Sequence, residues 1–303
     1  MYRTALPQIE TDRIFLTDGG METALIFQDG IDLPDFAAFD LLRQPSGAAA
    51  LRRYYRRYIE LAVRYGTGFV LESPTCRASS DWGDRLGYSR AALAGANIDA
   101  VALLEELRQE MPSRVQVVVS GSVGSRLAEF VPGSAMAATQ AEQYHREQVE
   151  TLAISSADMI CAVRMTYAAE AIGIVRAARD GGMPAAVAFV VESNGCLPSS
   201  QPLAEAIAEV DAATGGYPAY FIIHCSDPAD FAGLLPAGGA PWALRIRGLR
   251  ANAPAASGDP AELGALYAAL RRDQLPGLNV MGGCRGTDHR HVEGIAFRCA
   301  VAA

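Results

Sequence analysis

The sequence lacks the features that direct a chain to a membrane, a nucleic acid or an oxidising compartment. Half of its 303 residues are hydrophobic, at 50%, yet no uninterrupted apolar run is long enough to span a bilayer. The opening segment, Met1 to Asp12, is polar and mixed and lacks the charged-then-apolar pattern of an export signal. There is no basic patch. The formal net charge is -8 and the pI is about 5.1, which argues against nucleic acid and anionic membrane as partners. The six cysteines, Cys76, Cys161, Cys196, Cys225, Cys284 and Cys299, contain no CxxC pair, so a disulfide framework is not expected and free thiols are the default. No GxGxxG follows the first apolar stretch, which removes the main support for dinucleotide binding. No linker divides the chain. These absences predict one cytoplasmic domain over residues 1–303.

What is present is an alternation. Ile14–Asp18, Phe69–Leu71, Val115–Val119, Asp158–Val163, Ala185–Val191, Ala219–Ile223, Leu244–Arg247 and Leu278–Met281 read as short apolar strands. Between them the spacing predicts helices over Ala48–Tyr65, Arg90–Glu110, Gln140–Ser155, Ala168–Arg179, Leu203–Ala213 and Pro260–Arg272. A short helix is expected after Asp227-Pro228, where Asp suits the N-cap and Pro the first turn. A final helix begins near Asp288. Near-continuous apolar strands imply burial on both faces, hence a parallel sheet. Eight strand-helix units in this length fit a closed (β/α)8 TIM barrel better than an open sheet.

In such a barrel the working face is at the C-terminal ends of the strands. The polar and reactive residues gather at those ends: Asp18-Gly19-Gly20, Glu72-Ser73-Pro74-Thr75, Gly121-Ser122, Asn194-Gly195-Cys196, His224-Cys225, Asn252 and Gly282-Gly283-Cys284. Cys225 and Cys284 end strands six and eight, where two thiolates could share a zinc ion, although catalytic zinc normally wants three protein ligands. Their plain alternative is to be small buried hydrophobes. Cys161 and Cys299 read as core, while Cys76 and Cys196 lie in loops on the working face as spare ligands. His224 points opposite to Cys225 if the strand persists, so the two are not expected to ligate together. Arg245 and Arg247 share one face of strand seven and are expected to neutralise acidic neighbours.

Taken together, Leu16-Thr17-Asp18-Gly19-Gly20-Met21-Glu22-Thr23, Gly121-Ser122-Val123-Gly124, His224-Cys225 and Gly282-Gly283-Cys284-Arg285-Gly286-Thr287 resemble the homocysteine S-methyltransferase family, from about Ile14 to Ile295. The resemblance implies a barrel that holds a catalytic zinc on three cysteines. It implies a homocysteine thiol activated on that metal, and a methyl group drawn from a sulfonium, ammonium or folate-type donor, giving methionine. The partners it implies are therefore a small thiol and a methyl donor, with a homo-oligomer left open. Carried over by position, Cys225 and Cys284 match metal ligands, and Asp18 matches the acidic residue facing the substrate's amino group. Gly19, Gly20, Glu22 and Asn252 fall in the substrate-binding motifs.

Two departures stand out. Arg285 occupies the position of the third cysteine, and a guanidinium has no lone pair to donate. Val163 stands at the apparent position of a glutamate that binds the substrate's amino group. Two other readings therefore remain beside the zinc-dependent transferase. One is a zinc-free barrel that binds a small anionic ligand at Arg285. The other is a metal-free enzyme with Cys284 as nucleophile, its thiolate favoured by the adjacent cation.

Overall fold

The computed structural model describes residues 1–227, 231–236, 240–254 and 258–300. Eight parallel strands close into a barrel in the order β1 to β8, with β1 paired to β8. They are β1 (Phe15–Leu16), β2 (Gly68–Glu72), β3 (Val117–Gly124), β4 (Met159–Met165), β5 (Ala185–Val190), β6 (Tyr220–His224), β7 (Ile246–Ala251) and β8 (Val280–Gly283). Helices cover the outside: Pro45–Tyr65, Arg90–Gln109, Ala138–Ala153, Ala168–Asp180, Leu203–Thr214, Pro260–Asp273 and His289–Ala300. The expected fold and every major helix are present. The short helix expected after Asp227 begins on residues 228–230, outside the described residues.

The period of two along each strand sorts the side chains into two cores. Leu16, Phe69, Leu71, Val119, Ile160, Val187, Phe221 and Leu249 face outward into the large core beneath the helices. Phe15, Val70, Val118, Met159, Cys161, Ala186, Tyr220, Ile222 and Val280 fill the barrel interior. The N-terminal end is sealed by the first residues of the chain. Tyr2, Leu6 and Ile9 pack under the interior core, and Asn279 donates to the Gln8 carbonyl at 2.8 Å. A short helix at Pro7–Glu10, absent from the sequence expectation, carries Gln8 into this plug.

Two strands differ from expectation, and both differences place functional groups. β3 runs on through Gly121-Ser122-Val123-Gly124, whose small residues read as a closing turn; the ladder continues to Gly124 opposite Val163. Glycine there serves close approach, because a Cβ on Gly124 would lie 2.2 Å from the Cys76 carbonyl oxygen. β7 starts at Ile246 and ends at Ala251, since Ala243–Arg245 form a 3-10 turn instead. Arg245 pairs with Asp211 as anticipated, whereas Arg247 donates to Asn279 Oδ1 and meets no acidic partner among the described residues. The later end of β7 turns Arg250 into the barrel, a residue the sequence reading passed over.

Candidate active site

The interior core ends in a polar layer at the C-terminal mouth. Glu72 shares parity with Val70, Ser122 with Val118, His224 with Ile222, and Arg250 with Gly248, so each points inward one step above the apolar fill. These residues, with Asp18 after β1, line a cavity of about 460 Å³, within the range of small-molecule sites. Gly19, Gly20, Glu22, Cys76, Cys284 and Arg285 also line it. A smaller cavity of about 320 Å³ lies in the helical shell near Asn97, Tyr144 and Gln148, away from this chemistry.

The centre of the layer is an ion-paired network. Arg250 donates to Asp18 Oδ1 and lies 3.8 Å from Glu72 Oε2. The Tyr54 hydroxyl donates to Asp18 Oδ2 at 3.0 Å, and Ser122 donates to Glu72 at 2.6 Å. Burial works against the charge of Arg250, but Asp18 and Glu72 outweigh it and hold its pKa above the ordinary value. Burial lifts Asp18 to about 6, with Arg250 pulling the other way. Asp18 therefore faces the cavity as a carboxylate at neutral pH, already engaged by two protein donors.

The sulfur end of the cavity is built by glycines. A Cβ on Gly20 would lie 2.3 Å from the Cys284 carbonyl oxygen, and one on Gly282 would lie 1.9 Å from Thr17 Oγ1. The two Gly-Gly turns thus press the ends of β1 and β8 together. Cys284 N donates to the Ala251 carbonyl at 2.7 Å, and Cys225 N donates to the Arg250 carbonyl at 3.0 Å. Both cysteines are tied to β7, with Cα atoms 5.5 Å apart. In this structure they form a disulfide, against the expectation of free thiols. The physical reason is convergence at the mouth of a closed barrel, which sequence separation conceals. Reduction frees two adjacent thiols.

His224 joins them, which corrects the expectation that it points away from Cys225. β6 stops at His224, and Cys225 adopts a left-handed φ of 54°. That turn breaks the alternation on which the opposite-face argument depended. One ligand atom from each of His224, Cys225 and Cys284 lies within 4.8 Å of the others. His224 is 5% exposed and its Nδ1 has no hydrogen-bond partner among the described residues. Burial, together with Arg250 and Arg164, pushes its pKa well below the ordinary value, so the imidazole is neutral. Zinc prefers nitrogen and sulfur donors; two thiols and a neutral imidazole fit it, whereas the guanidinium of Arg285 does not.

The remaining expected residues separate. Asn252 is absent from the cavity lining; its amide donates to the Cys225 carbonyl at 3.0 Å and so supports the cysteine turn. Arg285 is exposed at the rim. Of the spare ligands, Cys76 lines the cavity outside the ligand cluster, and burial pushes its thiol up to about 11. Cys196 sits in its own loop with Asn194. The glutamate-like position in β4 is changed by a bulge between Ala162 and Met165. Arg164 there has a φ of 60° and lines the cavity beside Val163. An isolated arginine within an apolar strand was the available sequence signal for Arg164, whereas Arg250 follows Arg245 and Arg247 in one arginine-bearing stretch.

The profile of the family described as homocysteine S-methyltransferase matches residues 15–299. Among solved structures, the chain is similar to the metallated form of the homocysteine methyltransferase MmuM from Escherichia coli, with a TM-score of 0.73 and 20% identity over 96% of this chain and 98% of that one. The oxidized form of the same enzyme superposes with a TM-score of 0.72 and 22% identity, covering 95% of this chain and 97% of that one. At these identities the structural likeness speaks for the fold. No curated protein matches the chain.

Proposed function

The chain belongs to the homocysteine S-methyltransferase family, and from that premise we propose that it transfers a methyl group to the sulfur of a small thiol of the homocysteine class, with Cys225 and Cys284 holding a zinc ion. Bound there, zinc would lower the pKa of an incoming thiol from its ordinary value near 8.5 so that the thiolate is present at neutral pH. With an onium donor the balance is simple. The thiolate sulfur forms a bond to the methyl carbon as the carbon–onium bond breaks, and that electron pair leaves on a neutral donor.

The chain's own residues bind and orient. Glu22 and the Asp18 carboxylate present negative charge to an ammonium group. Arg164 makes no hydrogen bond or ion pair among the described residues, and it offers a donor fork to a carboxylate. Positioning of two substrates carries much of the rate in an in-line displacement, and the sealed N-terminal end leaves the mouth as the way in. The observation that carries this reading is the junction of Cys225 with Cys284, which lines the cavity beside the Asp18–Arg250 pair.

The test is direct. Reduced, zinc-loaded protein is incubated with homocysteine and, in turn, a methyl sulfonium, a quaternary ammonium and a methyl folate, and methionine is read by mass spectrometry. Methionine from one donor is expected; none from any of the three sinks the reading. A second reading, a zinc-free barrel for a small anionic ligand, draws on the guanidinium groups of Arg164 and Arg285 at the same cavity, neither of them paired among the described residues. It requires that the reduced protein take up no zinc, and it includes the variant in which Cys284 acts as a nucleophile.

A further inference from the structure

We propose that His224 is the third protein ligand of a Cys2His metal site with Cys225 and Cys284, and that it replaces the cysteine whose place Arg285 occupies. This deepens the reading above and rests on its premise that the two thiols hold a metal.

Three observations converge on His224. Its ligand atom lies within 4.8 Å of both sulfurs. Donors at about 2.0–2.3 Å from one tetrahedral ion are roughly 3.3–3.8 Å apart. Side-chain adjustments of about an ångström at the imidazole, and separation of the sulfurs on reduction, bring the three to that spacing. The second observation is the unpartnered Nδ1 on a side chain that is 5% exposed. A buried polar atom left unbonded is unfavourable, and a metal ion would satisfy it. The third is the company the ring keeps. Its charged neighbours at the mouth are Arg250 and Arg164, and among the described residues no carboxylate bonds to its Nδ1.

The local backbone explains why this position can serve. Parity with Tyr220 and Ile222 aims His224 into the barrel, and the left-handed Cys225 brings the next side chain to the same side. A fully extended continuation of β6 would have separated them. Arg285, by contrast, is exposed and lies one residue beyond Cys284, which follows the end of β8. It stays free to meet an anionic group at the rim.

The experiment uses the reduced full-length protein and zinc alone. X-ray absorption at the zinc edge should show two sulfur neighbours near about 2.3 Å and an imidazole nitrogen near about 2.0–2.1 Å. In His224→Ala the imidazole signal should vanish and zinc affinity should fall by more than about 100-fold. His224→Cys should restore tight binding with a three-sulfur shell, which separates ligation from a folding defect. Undiminished affinity with the imidazole signal intact in His224→Ala overturns the proposal, and so does a three-sulfur shell in the natural protein. His224-dependent zinc binding without methyl transfer would overturn the functional reading and leave the site standing. Methyl transfer with zinc binding indifferent to His224 would do the reverse.

Discussion

Two buried histidines of this protein live in opposite company. His145, in the Ala138–Ala153 helix, is fully buried against the neighbouring Ala168–Asp180 helix, where its Nε2 donates to Glu170 Oε1 at 3.0 Å. Glu170 also accepts from the Ser125 hydroxyl and the Arg126 backbone N–H. His224, at the end of β6, has two sulfurs and two arginines around it. Each ring leaves Nδ1 without a partner among the described residues, so an orphan nitrogen alone does not separate a structural histidine from a ligand. The neighbours do. A carboxylate closes a hydrogen-bonded knot between two helices, whereas a pair of thiols at a cavity makes a donor set. The same contrast holds for the two acids. Burial works against the charge of Glu170, but the bonds from His145, Arg126 and Ser125 outweigh it and hold its pKa below the usual value. Asp18, at the mouth, is lifted to about 6 by burial.

The largest effect expected from breaking this contrast is on stability in the helical shell. His145→Ala removes one partner of a buried pair and should cost about 3 kcal/mol, read as a lowered midpoint in denaturant. Zinc uptake by the folded fraction should be untouched. His224→Ala should show the inverse pattern, with little change in the midpoint. If the two variants lose metal and stability in the same proportion, the distinction between knot and donor set is wrong.

A pH titration sharpens the comparison through two separate windows. Asp18 keeps its charge above its folded pKa of about 6, so the Asp18–Arg250 pair is intact at neutral pH and lost as the pH falls through that value. The methyl-transfer kcat/KM should drop on the acid side of about 6, and Asp18→Asn should abolish that limb at a lower plateau. The folded pKa of Glu170 is depressed. Its stabilising contribution is therefore fully present above the unfolded carboxylate value, about 4.3, and is lost only as the pH falls through the lower folded value. Activity should fail before the fold does; coincidence of the two transitions would unite what the structure keeps apart.

The smallest expected effect is at Asn252. Its amide holds the carbonyl of Cys225, so Asn252→Ala should cost about 1 kcal/mol of stability. It should also weaken zinc binding by about 10-fold, since groups that orient a ligand tune affinity. A change in the Michaelis constant for the thiol with zinc affinity unmoved would place Asn252 on the substrate instead.

Much of the fold was legible because apolar strands buried on both faces carry their own signature. The Gly-Gly turns marked the mouth for the same reason: only glycine admits the contact of Gly20 with the Cys284 carbonyl. The errors fell where composition misleads about extent. Gly121-Ser122 read as a turn and lies within β3, and the alternating Leu244-Arg245-Ile246-Arg247 drew strand seven too early. That shift hid Arg250, the charge around which Asp18 and Glu72 are arranged.

The sequence by itself determined the barrel, its working face, and the placing of Cys225 and Cys284 at strand ends on that face. Those follow from hydrophobic period and from which residues can sit at strand ends. It could not determine which side of β6 His224 and Cys225 would share, because that turned on one left-handed residue closing the strand. Nor could it show the sulfurs meeting across 59 positions of chain, or Arg250 lying against Asp18. Those contacts exist only once the sheet has closed on itself, bringing the ends of β1, β6, β7 and β8 around one cavity.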